Sequence, residues 1–502
     1  MPDYRAALVI DIGTTNCKVS CYSCHDASVL DVRKFPTPTR ASEKGGVDFD
    51  IEALWQALRQ VMAELVASAP LPVKDISIAS FGESGVFVDE HGDILTPMLA
   101  WYDRRGESYL SSLSKSEAEE LYAITGLPPH SNYSAFKMKW LLDNYSLHER
   151  RDICWLHAPE VLLWRMTGEK KTEVSMASRT LCLDVSRQTW SRKAAGILGI
   201  PFDALAPLIK PGEVAGWMTA TLRQELGFFH EVKITIAGHD HMVGARALQM
   251  QPGEVLNSTG TTEGILLLDT QPTLSDQSRR DKLANGCYSD AEFFTLFASL
   301  PVGGYALEWV RKTFRLTDEE IQTGLEKARE RYVQPSWSAE DIPVFIPHLR
   351  GSGSPNKNRH TRGLIFGLTD SLSPATLLES VFIGLTMEFS LCYECFNIQA
   401  GRSVKVIGPA VRNPYWLQLK ADILQCPIEA IAFDEAVSVG ALLIACPEID
   451  PPSVPVAGRY IPDVIRSEKL QKYQQQWLAF YRFKLMQEGV FIGEEDNSSV
   501  VR

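Results

Sequence analysis

Two short segments place the same polar pattern at the tip of an apolar run. Val9-Ile10-Asp11-Ile12-Gly13-Thr14-Thr15 is followed by Val19, and Leu256-Asn257-Ser258-Thr259-Gly260-Thr261-Thr262 is followed by Ile265. Each reads as a strand, a polar residue two before a glycine, Gly-Thr-Thr, and a returning strand. A glycine at a hairpin tip tolerates positive φ and lets backbone approach an anion. Successive N–H groups at such a tip form a concavity that takes a phosphate, and two hydroxyls add donors. Asp11 can hold a magnesium ion or one of its waters, because that cation prefers oxygen ligands. Lys18 adds positive charge beside the same phosphates. An ordinary hairpin with a polar turn would account for one such segment, less readily for two. The segments lie half a chain apart, which points to two halves built around one hairpin design.

Other residues invite a metal. His239 and His241 flank Asp240 and would share a face on a strand. Cys21/Cys24 and Cys392/Cys395 have C-x-x-C spacing, and four thiolates can hold a structural zinc. One pair sits at a strand end and the other in a helical pattern, without glycine-rich knuckles. They read as reduced cysteines, and a disulfide framework is disfavoured in a cytosolic chain.

The elements that must position these groups alternate between strand and helix. Ala6–Ile10, Val73–Ala79, Val232–Ala237, Gly253–Asn257, Gly264–Asp269, Ile342–Pro347 and Val404–Ile407 read as strands, and Val86–Asp89 before His91-Gly92-Asp93 as part of a hairpin. Ile51–Ala67 reads as a helix with Leu54, Leu58, Val61 and Leu65 at spacings of three and four. Ala135–Asn144, Glu160–Met166, Tyr305–Phe314, Thr376–Phe396 and Tyr415–Leu424 read as further helices. The mixture predicts α/β layers. A last amphipathic helix is expected from Ser467, with Leu470, Tyr473, Trp477 and Phe480 on one face, closed by Gly489 and followed by a frayed tail from Gly493.

With these motifs in order, residues 5–450 resemble the FGGY carbohydrate kinase family, which includes glycerol kinase, xylulokinase and gluconate kinase. Asp11–Lys18 resembles its first phosphate loop and Ser258–Thr262 its second. Ser80-Phe81-Gly82-Glu83-Ser84 resembles a substrate-binding turn, Trp101-Tyr102-Asp103-Arg104-Arg105 the Trp-x-Asp-x-Arg segment, and Lys137–Asn144 the Lys-x-x-Trp signature. Gly238-His239-Asp240-His241 with Gly244-Ala245 resembles the segment carrying the catalytic aspartate, and Gly363–Leu368 the second signature. The resemblance implies two ribonuclease-H/actin-like α/β domains flanking a catalytic cleft. It implies ATP and Mg2+ as cofactors and phosphorylation of a hydroxyl of a small sugar, ketose, aldonate or polyol.

Carried over by residue, it makes Asp240 the general base, against the plainer role of capping the helix that follows. Glu83, Trp101, Asp103, Asn132 and His241 become substrate contacts. Asp11 becomes the metal ligand. Gly13, Thr14, Thr15, Lys18, Gly260, Thr261, Thr262, Gly304, Gly408 and Asn413 become nucleotide contacts. Some positions depart from the pattern. Relatives such as glycerol kinase have arginine beside the glutamate, where Gly82 stands here, so that arginine contact is expected to be missing. Asn132 and His241 replace Tyr and Gln, which argues against glycerol itself. Pro409 replaces the second glycine of an adenosine loop, removes an N–H and fixes φ, so weaker purine binding is expected. Thr376 and Ile383 depart from the second signature.

Domains are expected at 1–247, 248–450 and 451–502, the last a helix and tail, with the main boundary near 246–253. A net charge of −12 and no basic stripe exclude a nucleic-acid partner. The apolar run that Asp11 interrupts is too short for a signal, and no stretch reaches a membrane span, so a cytoplasmic protein with no membrane partner is expected. The expected partner is a small sugar or polyol, with a homodimer the candidate assembly. Two rival readings share the fold: an actin- or chaperone-like ATPase, and a sugar-binding relative that has lost transfer.

Overall fold

A computed structural model describes residues 4–42, 44–399, 401–433 and 435–492. Its first sheet has six strands: β1 (Ala6–Ile12), β2 (Asn16–Ser23), β3 (Val29–Pro36), β4 (Val73–Ser80), β5 (Gly216–Trp217) and β6 (Lys233–His239), in the order β5-β6-β4-β1-β2-β3. β1 and β2 form an antiparallel hairpin, with Ile12 opposite Cys17 at the tip. β4 pairs with β1 in parallel, and β6 with β4 in parallel. The central β1 is an almost unbroken buried apolar run, as expected of a strand covered on both faces.

The second sheet has seven strands: β7 (Val255–Thr259), β8 (Glu263–Asp269), β9 (Ala284–Cys287), β10 (Phe294–Leu300), β11 (Val404–Ile407), β12 (Ile428–Ile431) and β13 (Val456–Tyr460), in the order β9-β10-β8-β7-β11-β12-β13. β7 and β8 form the hairpin, and β11 and then β12 add to β7 in parallel. The two sheets therefore repeat one plan. In each, a hairpin supplies the central strand and two parallel strands extend from it. Each Gly-Thr-Thr segment is the tip of its hairpin.

Helices cover both sheets. α1 (Ile51–Ser68) is capped by Asp50, which accepts from Ala53 N at 3.0 Å. It buries Leu54, Leu58, Met62 and Leu65, so Met62 takes the inward place expected of Val61. Val86–Asp89 is a hairpin only in part. Its strand meets Ile94 through a single bridge and pairs mainly with Cys154–His157. The other helices that position the site are α2 (Ser134–Asn144), α3 (Val174–Ala177), α4 (Asp240–Ala247), α5 (Tyr305–Phe314), α6 (Pro374–Glu394), α7 (Pro414–Leu424), α8 (Ala436–Ala445) and α9 (Val464–Ile492). α6 is long and apolar enough to cross a membrane by length and composition, contrary to the sequence expectation, but it is a buried core helix of the second half.

Residues beyond 450 are built into the second half. β13 extends its sheet, and α9 starts three residues before Ser467 and runs past Gly489. Its buried face is Leu470, Tyr473, Trp477 and Tyr481, with Phe480 half-buried against Phe366. Trp477 Nε1 donates to Phe345 O at 2.9 Å. The tail from Gly493 lies outside the described residues. The two C-x-x-C pairs belong to different cores, so their four thiols do not converge.

α8 lies between β12 and β13 of the second sheet in sequence but packs on the first. Ser77 Oγ of β4 donates to Ala441 O at 2.7 Å, and Lys233 Nζ to Ala445 O at 3.0 Å. It crosses α4 at Gly440, where a Cβ would stand 1.9 Å from Val243 O. Only a residue without a side chain allows that approach. Gly440→Ala is therefore expected to cost about 1–3 kcal/mol through forced separation of the two helices. Urea unfolding measures this, and an unchanged midpoint and slope would show that the contact yields freely.

Candidate active site

A cavity of about 430 Å3 opens between the two hairpin tips. From the first half, Thr14, Glu83, Trp101, Asn132, Asp240 and His241 line it. From the second come Gly260 and Thr262, with Phe297 of β10. These are most of the residues expected at the substrate and both phosphate loops.

The first tip is held tightly. Gly13 N donates to Asn16 O at 3.1 Å, and a Cβ on Gly13 would lie 2.8 Å from that oxygen. Trp101 Nε1 donates to Thr14 Oγ1 at 3.0 Å, so Trp101 braces the loop as well as walling the cavity. Thr15 is exposed at the tip. Asp11 lies beneath it, 3.6 Å from Lys18 Nζ. Burial pushes the Asp11 carboxyl up to about 6, with the Asp240 charge adding to the effect and Lys18 opposing it. Lys18 also pairs with Glu435.

The second tip rests on backbone-to-backbone contacts. Gly304 N donates to Gly260 O at 2.8 Å, Gly303 N donates to Thr261 O at 2.9 Å, and a Cβ on Gly304 would meet Gly260 O at 2.8 Å. Gly408 (φ 88°) packs so closely on Thr259 that a Cβ would stand 2.0 Å from its carbonyl oxygen. Pro409 opens the short 3-10 turn Pro409–Arg412, a first position where a missing N–H breaks no turn bond. Ala410 N supplies the donor, to Thr259 Oγ1 at 3.1 Å. Asn413 caps α7, its side chain accepting from Trp416 N at 3.1 Å. Thr376 is half-buried at the start of α6 and Ile383 is in the core.

Below Thr262, Glu263 and Lys420 of α7 form an ion pair at 2.7 Å with both side chains fully buried. Asn257 Nδ2 donates to the same Glu263 oxygen at 3.2 Å. The pair ties the second loop to the parallel side of the sheet.

Asp240 is the first residue of α4, where β6 ends. Its side chain is 24% exposed, and its Oδ1 accepts from His241 N at 2.7 Å. Burial raises its pKa, with Glu83 adding to the rise and His241 opposing it. The strand end beneath it is built by Gly238 (φ 116°), where a Cβ would meet Ser175 Oγ at 2.3 Å. Ser175 Oγ accepts from His239 N at 2.9 Å and donates to Glu173, whose carboxyl burial pushes up to about 7. Asp240 is thus positioned by a buried Glu-Ser relay from α3. His239 faces Gly82, Met242 and Arg179, and burial drives its pKa well down. With a guanidinium alongside, the His-Asp-His cluster is poorly suited to a cation. His241 crosses the cleft, its ring 5.2 Å from Phe297.

Glu83 holds a left-handed conformation (φ 68°) that a non-glycine residue adopts only under constraint. The arginine expected to be missing is present. Arg179, just past α3, donates from Nε to Glu83 Oε1 at 2.9 Å and fills the space beside Gly82. Its guanidinium lies 5.1 Å from the Tyr133 ring centroid. Asp103 does not line the cavity. One oxygen accepts from Arg105 and the other from Val47 N at 2.8 Å, so it shapes the segment carrying Trp101 instead. Lys137 is fully buried and donates to the carbonyls of Ser131 and Asn132, which fixes the Asn132 loop. Burial lowers its pKa to about 7, against the opposing charges of Glu83 and Asp103. Sequence reasoning misses Arg179, His130, Lys282 and Lys357, all in the cavity wall.

Two family models match the chain. The N-terminal domain of the FGGY family of carbohydrate kinases covers residues 6–246, and its C-terminal domain covers 255–448. A glycerol kinase of Limosilactobacillus reuteri is 24% identical over 470 residues, 90% of this chain and 91% of that protein. Gluconate kinase from Lactobacillus acidophilus superposes with a TM-score of 0.85 at 20% identity, over 96% of this chain and 98% of that one. Plasmodium falciparum glycerol kinase with ADP gives 0.86 at 19%, over 96% and 98%. These matches set aside the chaperone-like ATPase reading.

Lys420→Met strands the buried Glu263 charge and is expected to destabilise the protein by about 3–5 kcal/mol. Adding Glu263→Leu should recover most of the loss. Denaturant titration of wild type, single and double variants reads this, and a single variant within about 1 kcal/mol of wild type would contradict it.

Proposed function

We propose that this chain, which belongs to the FGGY family of carbohydrate kinases, uses Asp240 to accept the proton of a substrate hydroxyl as that oxygen attacks the γ-phosphorus of ATP. As a carbohydrate kinase it phosphorylates a sugar or polyol with ATP. The observation that carries the assignment to Asp240 is its place. It starts α4 in the wall between the two hairpin tips, beside the glutamate-arginine pair.

The proposed geometry divides the work. Glu83 fixes substrate hydroxyls through the oxygen that Arg179 leaves free, and Asn132 and Trp101 complete that wall. The N–H groups of both tips hold the phosphates, which lets positioning and charge stabilisation supply most of the rate. Asp240 orients the attacking hydroxyl and takes its proton late. A carboxylate raised by burial is better matched to that proton than an exposed one. Asp11 fits a magnesium ion: it is a half-buried carboxylate whose ionisation is opposed by desolvation and by the charge of Asp240, and a cation would relieve both. That ion would neutralise charge on the transferring phosphates. The nucleoside is assigned to the second half, beside Gly304 and the Gly408–Asn413 turn.

Asp240→Asn is expected to keep the fold and substrate binding and to lower kcat by roughly 10²–10⁴. Steady-state kinetics with a coupled ADP assay measures this. A variant retaining more than about a tenth of wild-type kcat would remove Asp240 from the role.

A further inference from the structure

The cavity wall holds two lysines with no counter-ion. Lys282 and Lys357 both line the cavity. Among the described residues, neither Nζ makes a hydrogen bond or ion pair. The acidic groups of the same wall are already engaged. Glu83 pairs with Arg179 and Glu263 with Lys420, while Asp240 is assigned to the proton. Both lysines sit in left-handed backbone (φ 58° and φ 46°), as does Glu83. Strain of this kind persists where surrounding structure imposes it, and it clusters at ligand sites.

The lysines stand at the sugar end of the cleft. Ser354 Oγ donates to Lys282 O at 3.3 Å, which joins their two loops. Three residues on, Asn285 N donates to Gly126 O at 2.9 Å, at the start of the stretch leading to His130 and Asn132. Lys357 lies in the field of Arg179, Lys282 and Glu83, and burial lowers its pKa to about 8. His130 is driven down to about 3 by burial, then by Lys357, Lys137 and Arg104. A neutral polyol would leave this concentration of positive charge without a partner inside a partly desolvated cavity.

We infer that the substrate carries an anionic terminus, a carboxylate or a phosphate, held by Lys282 and Lys357 beyond the hydroxyls that Glu83 and Asn132 fix. This rests on the cleft being the acceptor site of the kinase. Arg179 anchors Glu83 and adds to the same positive field.

Matched pairs test it: gluconate against glucitol, ribonate against ribitol, and glucose 6-phosphate against glucose. ADP release and calorimetry are run with each. The anionic member of at least one pair should be preferred by at least about tenfold in kcat/KM, the contribution of one charge-assisted hydrogen bond. The aldonate and phosphate pairs separate the two anion sources. Lys282→Met and Lys357→Met should each raise KM for that acid about 10- to 100-fold, with kcat within about threefold and KM for ATP unchanged. Lys357→Arg should keep most of the affinity. Lys282 is exposed, so its variant reports even if the Lys357 variants fail to fold. Preference for the neutral member in every pair overturns the inference, as do calorimetry showing no acid bound and an effect of the lysine variants on ATP alone. Neutral substrates phosphorylated with no acid bound would leave the kinase reading standing. Acids bound through the lysines but never phosphorylated would leave the anion site and remove the catalytic assignment.

Discussion

The crossing of α4 and α8 at Gly440 is the contact on which the site depends. Asp240 begins α4, and α8 belongs by sequence to the second half yet packs on the first sheet. A backbone approach this close leaves no room for a side chain, so the helices cannot slide past one another without losing it. The carboxylate is therefore fixed against the first sheet and against a helix that joins two strands of the second. The strand end beneath it is clamped by Ser175 and Glu173, and Gly238 leaves room for both. Packing, more than local helix preference, sets where the Asp240 carboxylate stands.

Around that point the cleft is made of groups whose bonding capacity is largely used by the protein. Thr14 is engaged by Trp101, Thr259 by the Gly408 turn, Glu263 by Lys420, and one oxygen of Glu83 by Arg179. Such a site is pre-organised: its donors and acceptors need little rearrangement when ligands arrive. What stays unengaged is then informative. Asp240, the outer oxygen of Glu83 and the two lysines are four charged groups left for a ligand. Two of these four carry positive charge, and they share one wall.

Much of this architecture is legible in the amino-acid sequence. The hairpin tips stand out because a strand, a Gly-Thr-Thr turn and a returning strand are local patterns, and their repetition exposes the shared plan of the sheets. Asp240 is legible through its neighbours in the chain. Arg179 is not, because it reaches Glu83 across 96 residues and no local spacing announces it. Lys282 and Lys357 escape for the same reason, their meaning arising only where two loops meet over the cleft. Asp103 misleads because Arg105, two residues on, takes up one of its oxygens. On the last helix, Tyr481 and not Phe480 faces the core, a difference of one residue that a three-and-four spacing leaves open.

The central claim is that a phosphoryl group passes directly from a nucleotide whose phosphates lie between the two hairpin tips to a hydroxyl held beside Asp240, with no group of the protein carrying it between. The stereochemical course of transfer from ATP made chiral at the γ-phosphorus with oxygen isotopes measures this most directly. A single in-line displacement predicts inversion of configuration at phosphorus in the sugar phosphate product. Retention would require two displacements through a phosphorylated side chain, such as His241 in the cavity wall, and would contradict the account.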